Sequence, residues 1–235
     1  MESAVKELID ELYNDFRERS KEVVSYVKFA QKISSTRSLI LSQRENNDIK
    51  RIDGYEIDSD LIKTIRASGY LLIYNLVEST LSNAIDLIHQ SIDVHGYEYH
   101  NLNKNLQNIV LNNFGKIIGK ANIPHPIQQA VVNMGYNKSK LFSGNIDCRE
   151  IKKVSKKYGF EVPDHNSKGR PIGDYILEVK KKRNSLAHGS ISFELCGRET
   201  PPEHLVDLSA QTIVYLRGII RSVSSFVRNN KFGSQ

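Results

Sequence analysis

Tyr70-Leu71-Leu72-Ile73-Tyr74-Asn75-Leu76-Val77 is the stretch that decides the fold. Asn75 is its one strongly polar residue, so a helix formed here is apolar on nearly every side and belongs at the centre of a core. Extended in both directions, this helix is predicted to start near Ser59 and run to about Val94, before His95-Gly96. Upstream, Val5, Leu8, Ile9, Leu12, Phe16, Val23, Val27, Ala30 and Ile33 recur at three- and four-residue steps, the period of a long amphipathic helix. A polar turn around Asn46-Asn47-Asp48 and Asp53-Gly54 separates the two.

Downstream the pattern stays helical. Helices are expected over about 101–118 and 124–133, the second with Pro126 in its first turn. Asp147-Cys148-Arg149-Glu150 reads as a capping box opening a short helix that ends at Tyr158-Gly159. Residues 162–171 have the composition of a loop, Asp174 is a good N-cap for the next helix, and Gly189 is its natural stop. Ile191-Ser192-Phe193-Glu194-Leu195 alternates as an extended segment would. Thr200-Pro201-Pro202-Glu203 offers a further capping box before a last helix over about 202–229. The fold class is therefore all-α.

Composition narrows the function. The chain has 235 residues, 39% of them hydrophobic and 26% charged. That is enough for a sizeable core, and the mixed sign of the charges argues against disorder. No apolar run approaches the roughly 18 residues that a membrane span needs. Met1-Glu2-Ser3-Ala4-Val5-Lys6-Glu7 carries neither a signal-peptide core nor a lipidation motif, so a cytoplasmic protein without membrane association is expected. Cys148 and Cys196 stand alone, which implies neither a disulfide framework nor a structural metal. The net charge of +6 is lopsided: residues 1–148 hold 17 Lys/Arg against 18 Asp/Glu, and residues 149–235 hold 16 against 9. Such an excess is either a solvated lysine-rich face or a surface for a polyanion.

Within the basic half lies Lys180-Lys181-Lys182-Arg183-Asn184-Ser185-Leu186-Ala187-His188-Gly189. Arg183, Asn184 and His188 supply a permanent cation, an amide and an imidazole, a set suited to a phosphodiester. An Arg followed by a His after four to six residues is expected about once by accident in a chain with this many of each. Arg198 and His204 are such a pair, but Pro201 and Pro202 lie between them, so they cannot share one helical surface. Requiring Asn directly after the Arg and four residues between Arg and His lowers the chance expectation to roughly 0.03. At about 100° per residue Asn184 and His188 share a face, and Arg183 is offset by about 140° from the His. The structural alternative is a C-terminal His capping carbonyls and an Arg paired with Glu178 or Glu78.

Asn75, Glu78, Ser79, Ser82 and Asn83 draw a polar stripe down the otherwise apolar central helix. A buried stripe needs partners, so it faces solvent, a second subunit or the motif helix, and Glu78 is the expected partner of Arg183. No His, Cys or carboxylate pair near the motif has a spacing suited to Mg²⁺ or Zn²⁺, so neither metal nor other cofactor is expected.

Tyr70–Ser82 (YLLIYNLVESTLS), Phe142–Asp147 (FSGNID), Lys156-Lys157-Tyr158-Gly159-Phe160 and Arg183–Gly189 (RNSLAHG) with Ile191-Ser192-Phe193 resemble the HEPN superfamily, more narrowly its ribonucleases of prokaryotic toxin–antitoxin and phage-defence systems. The similarity runs from about residue 55 to the C-terminus, so the chain is expected to be one HEPN-like domain over 1–235, with 1–50 as a helical extension and 55–235 as the core. The resemblance implies an all-α bundle, a homodimer bringing two R-x4-6-H motifs into one cleft, and metal-independent endoribonuclease activity. It implies RNA as substrate and a cognate antitoxin or defence-system partner. Arg183 and His188 match the motif residues, Asn184 the polar residue after the Arg, and Glu78 with Asn75 a polar position on the facing helix. Lys180, Lys181 and Lys182 would hold the RNA backbone. HEPN domains that are non-catalytic nucleotide-binding or dimerisation modules are the alternative.

Overall fold

In a computed structural model, residues 2–36, 40–45, 48–118, 142, 145–163, 166–167 and 170–234 are described. The amphipathic period at the N-terminus becomes α1 (Glu2–Ser34), which buries the expected stripe; Leu8 alone of that set is only half-buried. Its apolar face lies on α2 (Ser59–His95), whose start is capped by Asp58 Oδ1 accepting from the Leu61 N–H. Ala67, Tyr70, Ile73, Tyr74, Leu76 and Val77 are all buried, and α2 packs against four other helices, as its all-round apolar character requires.

Between α1 and α2 the polar-turn reading is corrected. Ile40–Glu45 (β1) and Asp48–Glu56 (β2) form an antiparallel hairpin with Glu45 opposite Asp48, so Asp48, Asp53 and Gly54 lie within a strand. Asn46 and Asn47 lie outside the described residues; within the strands, ladder hydrogen bonds outweigh the weak strand preference of the acidic residues. The helices nevertheless form the core, an all-α bundle to which this hairpin is appended.

A single 3₁₀ turn (Tyr99–Asn101) leads into α3 (Lys104–Ile118). The helix expected over 124–133 lies outside the described residues. Asp147 caps α4 (Cys148–Tyr158) by accepting from the Arg149 and Glu150 N–H groups, and Gly159 ends it at φ 88°. Two-residue strands β3 (Asn166–Ser167) and β4 (Arg170–Pro171) pair within the expected loop. They deliver the chain to α5 (Ile172–Ala187), which carries the motif. Its N-cap is Pro171, not Asp174; the helix begins three residues earlier than expected, and Asp174 sits in the first turn, where a carboxylate still meets the positive end of the helix.

The segment read as extended is instead α6 (Phe193–Arg198), opened by Ser192 Oγ accepting from the Leu195 N–H. Gly197 explains its position, because a Cβ there would overlap the Lys63 carbonyl group; only glycine lets α6 come so close to α2. Finally α7 (Pro202–Arg228) starts with proline in its first turn, as expected, but without the capping box. Thr200 Oγ1 donates to the Cys196 carbonyl instead of capping α7. Buried side chains from α1 through α7 and Phe232 beyond it join one apolar cluster. Among the described residues no helix is long and apolar enough to cross a membrane.

Candidate functional site

Tyr175, Ile176, Val179 and Leu186 face inward from α5 and fix its rotation about its own axis. Arg183 and Asn184 are thereby turned toward two other segments: the middle of α2 and the 145–147 stretch that precedes α4. The Arg183 guanidinium carbon lies 4.6 Å from the centroid of the Tyr74 ring, a cation–π contact, and its Nη1 donates to Asn184 Oδ1 at 3.0 Å. Asn184 Nδ2 donates in turn to Asn145 Oδ1 at 2.8 Å.

The 145–147 stretch is pinned at two further points. The buried Ile146 N–H donates to the Tyr74 hydroxyl oxygen at 3.0 Å, and Lys180 Nζ lies 2.8 Å from Asp147 Oδ2. Burial raises the Tyr74 hydroxyl pKa, with Glu78 adding to the rise while the Ile146 N–H and Arg183 oppose it. Burial alone would also raise Asp147, but Lys180 and the capped N–H groups outweigh it and hold this carboxyl below the ordinary carboxylate range. Asp147 thus caps α4 and anchors α5 at once.

His188 stands apart from these contacts. Gly189 turns the chain at φ 68°. As a result α5 ends at Ala187 and His188 occupies the cap, its N–H bonded to the Asn184 carbonyl and its ring exposed. The expectation had put it inside the last turn; the left-handed glycine ends the helix one residue sooner. The imidazole is left accessible one turn beyond Asn184.

Other expectations change. Among the described residues no ion pair joins Arg183 to Glu78, although both lie close enough to act on the Tyr74 hydroxyl. The polar stripe divides: Asn75 is exposed, Glu78 is half-buried, and Asn83 donates to Asp15 Oδ2 of α1 at 2.9 Å. Of the three lysines, Lys180 is paired with Asp147 and Lys182 with Glu199 at 2.9 Å. Burial would lower Lys182, but Glu199 more than offsets it and raises its pKa. Lys181 is exposed, and no carboxylate pairs with it among the described residues. Arg198 ends α6 and His204 opens α7, so they share no helical surface; His204 Nε2 lies 2.6 Å from Glu178 Oε1, and the Tyr70 hydroxyl donates to the same oxygen.

Tyr74 and Asn145 are the contributors that sequence reasoning left without a role, and Asp147 was given only its capping role, not its anchoring of Lys180. All three lie inside stretches that carry the HEPN resemblance, which was the available signal. Among the described residues no group of three or more His, Cys, Asp or Glu side chains is arranged to hold a metal ion.

The chain matches no curated protein and no solved structure. A family model described as HEPN_MAE_28990-like HEPN matches residues 8–232, which takes in α1 as well as the bundle after it, and membership of this family supports a ribonuclease-type function in general. With nearly its whole length matched, including the α2 platform, the 145–147 stretch and the Arg183–His188 motif, the chain belongs to the HEPN_MAE_28990-like HEPN family.

Proposed function

We propose that the chain is a metal-independent endoribonuclease of a toxin–antitoxin or phage-defence system, working as a homodimer with two motifs in one cleft. The observation that carries this reading is the contrast within the motif: Arg183 and Asn184 are anchored by Tyr74 and Asn145, while His188 is exposed one turn further on. Fixed cationic and amide groups suit a phosphate, and an accessible imidazole suits proton transfer.

RNA supplies its own nucleophile. The 2′-oxygen attacks the adjacent phosphorus as its proton passes to one His188, and the P–O5′ bond breaks as the leaving oxygen takes a proton from the other copy's imidazole. Arg183 neutralises the charge gathered on the non-bridging oxygens, and Asn184 orients the phosphate. Lys181 is the lysine whose ammonium is left to contact the backbone, while Lys180 and Lys182 hold the fold.

The test is incubation of the purified full chain with RNA in excess EDTA. Cleavage should persist and leave 2′,3′-cyclic phosphate and 5′-hydroxyl ends, and a 2′-O-methyl at the scissile position should block it. Activity lost on chelation and restored by Mg²⁺, or cleavage of the 2′-O-methyl substrate, would overturn the mechanism.

A further inference from the structure

Beyond the motif the most distinctive feature is a groove of about 490 Å³ between α1 and α7. Tyr13, Phe16 and Val24 from α1 and Ile213 from α7 supply its apolar lining. Arg17 and Lys21 of α1 and Arg217 and Arg221 of α7 also line it, and no carboxylate does. Arg17 and Lys21 share Glu18, whereas Arg217 and Arg221 are exposed and meet no acceptor among the described residues. Ser20 Oγ, which also lines the groove, is buried without a hydrogen-bond partner among them.

Among the described residues two large apolar side chains are exposed, Phe29 by 50% and Val214 by 47%. Val214 lies one turn before Arg217 on α7, beside the groove, whereas Phe29 lies one turn past Ser25 on α1 and outside the groove's lining. An exposed valine beside an apolar groove marks a surface that something covers.

We infer that the α1–α7 groove docks an amphipathic helix with an acidic rim, supplied by a partner protein. Charge complementarity and spacing carry this choice. Arg17 and Lys21, like Arg217 and Arg221, are one helical turn apart and so about 6 Å along their helix axes, the spacing of carboxylates at i and i+4 on a docked helix. The apolar stripe of that helix packs on the half-buried Tyr13 and Val24, over a floor that Phe16 and Ile213 close from below, and Val214 extends the contact on α7. At the helical rise per residue, the groove is about 18 Å long from Tyr13 to Ser25, the length of roughly 12 helical residues. An RNA strand would meet the same cations, but Phe16 is buried and Val24 and Ile213 are aliphatic, so bases would find little ring surface to stack on, which favours the helix.

The experiment uses the full chain and a fluorescent synthetic peptide of about 18 residues, long enough to cover the groove, with leucines at i, i+3, i+4 and i+7 and glutamates flanking that stripe. Fluorescence anisotropy should give saturable micromolar binding, and a peptide of the same composition in shuffled order should not bind. Arg217→Glu with Arg221→Glu should weaken binding by about tenfold or more, as expected for two lost charge contacts. Arg217→Lys with Arg221→Lys should keep most of the binding, and RNA cleavage should be unchanged in both double variants. Three results would overturn the inference: equal binding of the shuffled peptide or none of the designed one, full binding by the Arg217→Glu/Arg221→Glu protein with a native melting curve, or displacement of the peptide by a short single-stranded RNA that itself needs Arg217 and Arg221. Light scattering in which Arg217→Glu/Arg221→Glu alone turns a dimer into a monomer would also overturn it, assigning the groove to a second copy instead.

Discussion

Tyr74 carries two contributions that substitution can separate. Tyr74→Phe keeps the ring 4.6 Å from the Arg183 guanidinium carbon and deletes the hydroxyl that accepts from the Ile146 N–H. Ile146 is fully buried, so its orphaned amide should cost about 1–3 kcal/mol. For a chain of this size each kcal/mol lowers Tm by about 2–4 °C, which makes a fall of roughly 2–12 °C the expected result. Cleavage per folded molecule should stay within about twofold, because the cation–π contact survives. Tyr74→Leu removes the ring as well. A cation–π contact in a half-buried setting is worth about 0.5–2 kcal/mol, so if it holds Arg183 where the phosphate needs it, the rate should drop by roughly a further 2- to 30-fold. Single-turnover cleavage of a short labelled RNA, at a temperature where circular dichroism finds both variants folded, reads this loss apart from stability. A folded Tyr74→Leu protein that cleaves as fast as Tyr74→Phe would refute the idea that the ring positions Arg183.

Because His188 is exposed, His188→Ala should abolish RNA cleavage with Tm unchanged within about 1 °C; wild-type rates in that variant would remove its assigned role. Asn145→Ala should lower the rate by roughly tenfold with little loss of stability, since it frees the Asn184 amide at an exposed hydrogen bond; an unaltered rate would show that Asn184 needs no such support. Burial pushes His89 down to about 4 from 6.5, with Asp86 opposing, so the unfolded chain binds more protons across that interval. Stability is therefore full above pH 6.5 and falls as pH drops toward 4, by ~2 kcal/mol at pH 5, and urea midpoints of His89→Gln should be flatter over that window. If two copies share one cleft and both imidazoles act, a mixed dimer of wild-type and His188→Ala chains should be inactive, so activity should fall as the square of the wild-type fraction; a linear fall after subunit exchange would argue that each chain works with its own His188.

What could be seen in the sequence is what neighbouring residues decide. Asp147 and Gly159 mark the ends of α4 because an N-cap and a left-handed glycine act on groups within a turn of themselves. The stripes of α1 and α2 follow from period alone. By contrast, Ile191-Ser192-Phe193-Glu194-Leu195 alternates like a strand and becomes helical where Ser192 caps it and Gly197 admits the α2 backbone. The same division runs through the site. Arg183, Asn184 and His188 form a local pattern, whereas the Tyr74 hydroxyl meets Ile146 across 72 residues and Lys180 meets Asp147 across 33. No spacing rule links such positions. Arg183 likewise meets the Tyr74 ring and Asn184, and no ion pair joins it to Glu78 among the described residues; a count of opposite charges overlooks contacts of that kind.

The division between a fixed and an exposed half of the motif bears on assembly. A phosphate held by Arg183 and Asn184 is held by groups that α2 and the 145–147 stretch keep in place, so the electrostatic part of the site needs no second chain. Proton transfer is different. Cleavage moves one proton off the 2′-oxygen and one onto the 5′-oxygen, on opposite sides of the phosphorus, and each chain brings one exposed motif imidazole. In the proposed dimer a second copy would supply the other imidazole and close water away from both, which would raise the worth of every charge in the cleft. On this reasoning a lone chain would bind the scissile phosphate and cut it slowly, and activity would follow dimer concentration more steeply than phosphate binding does.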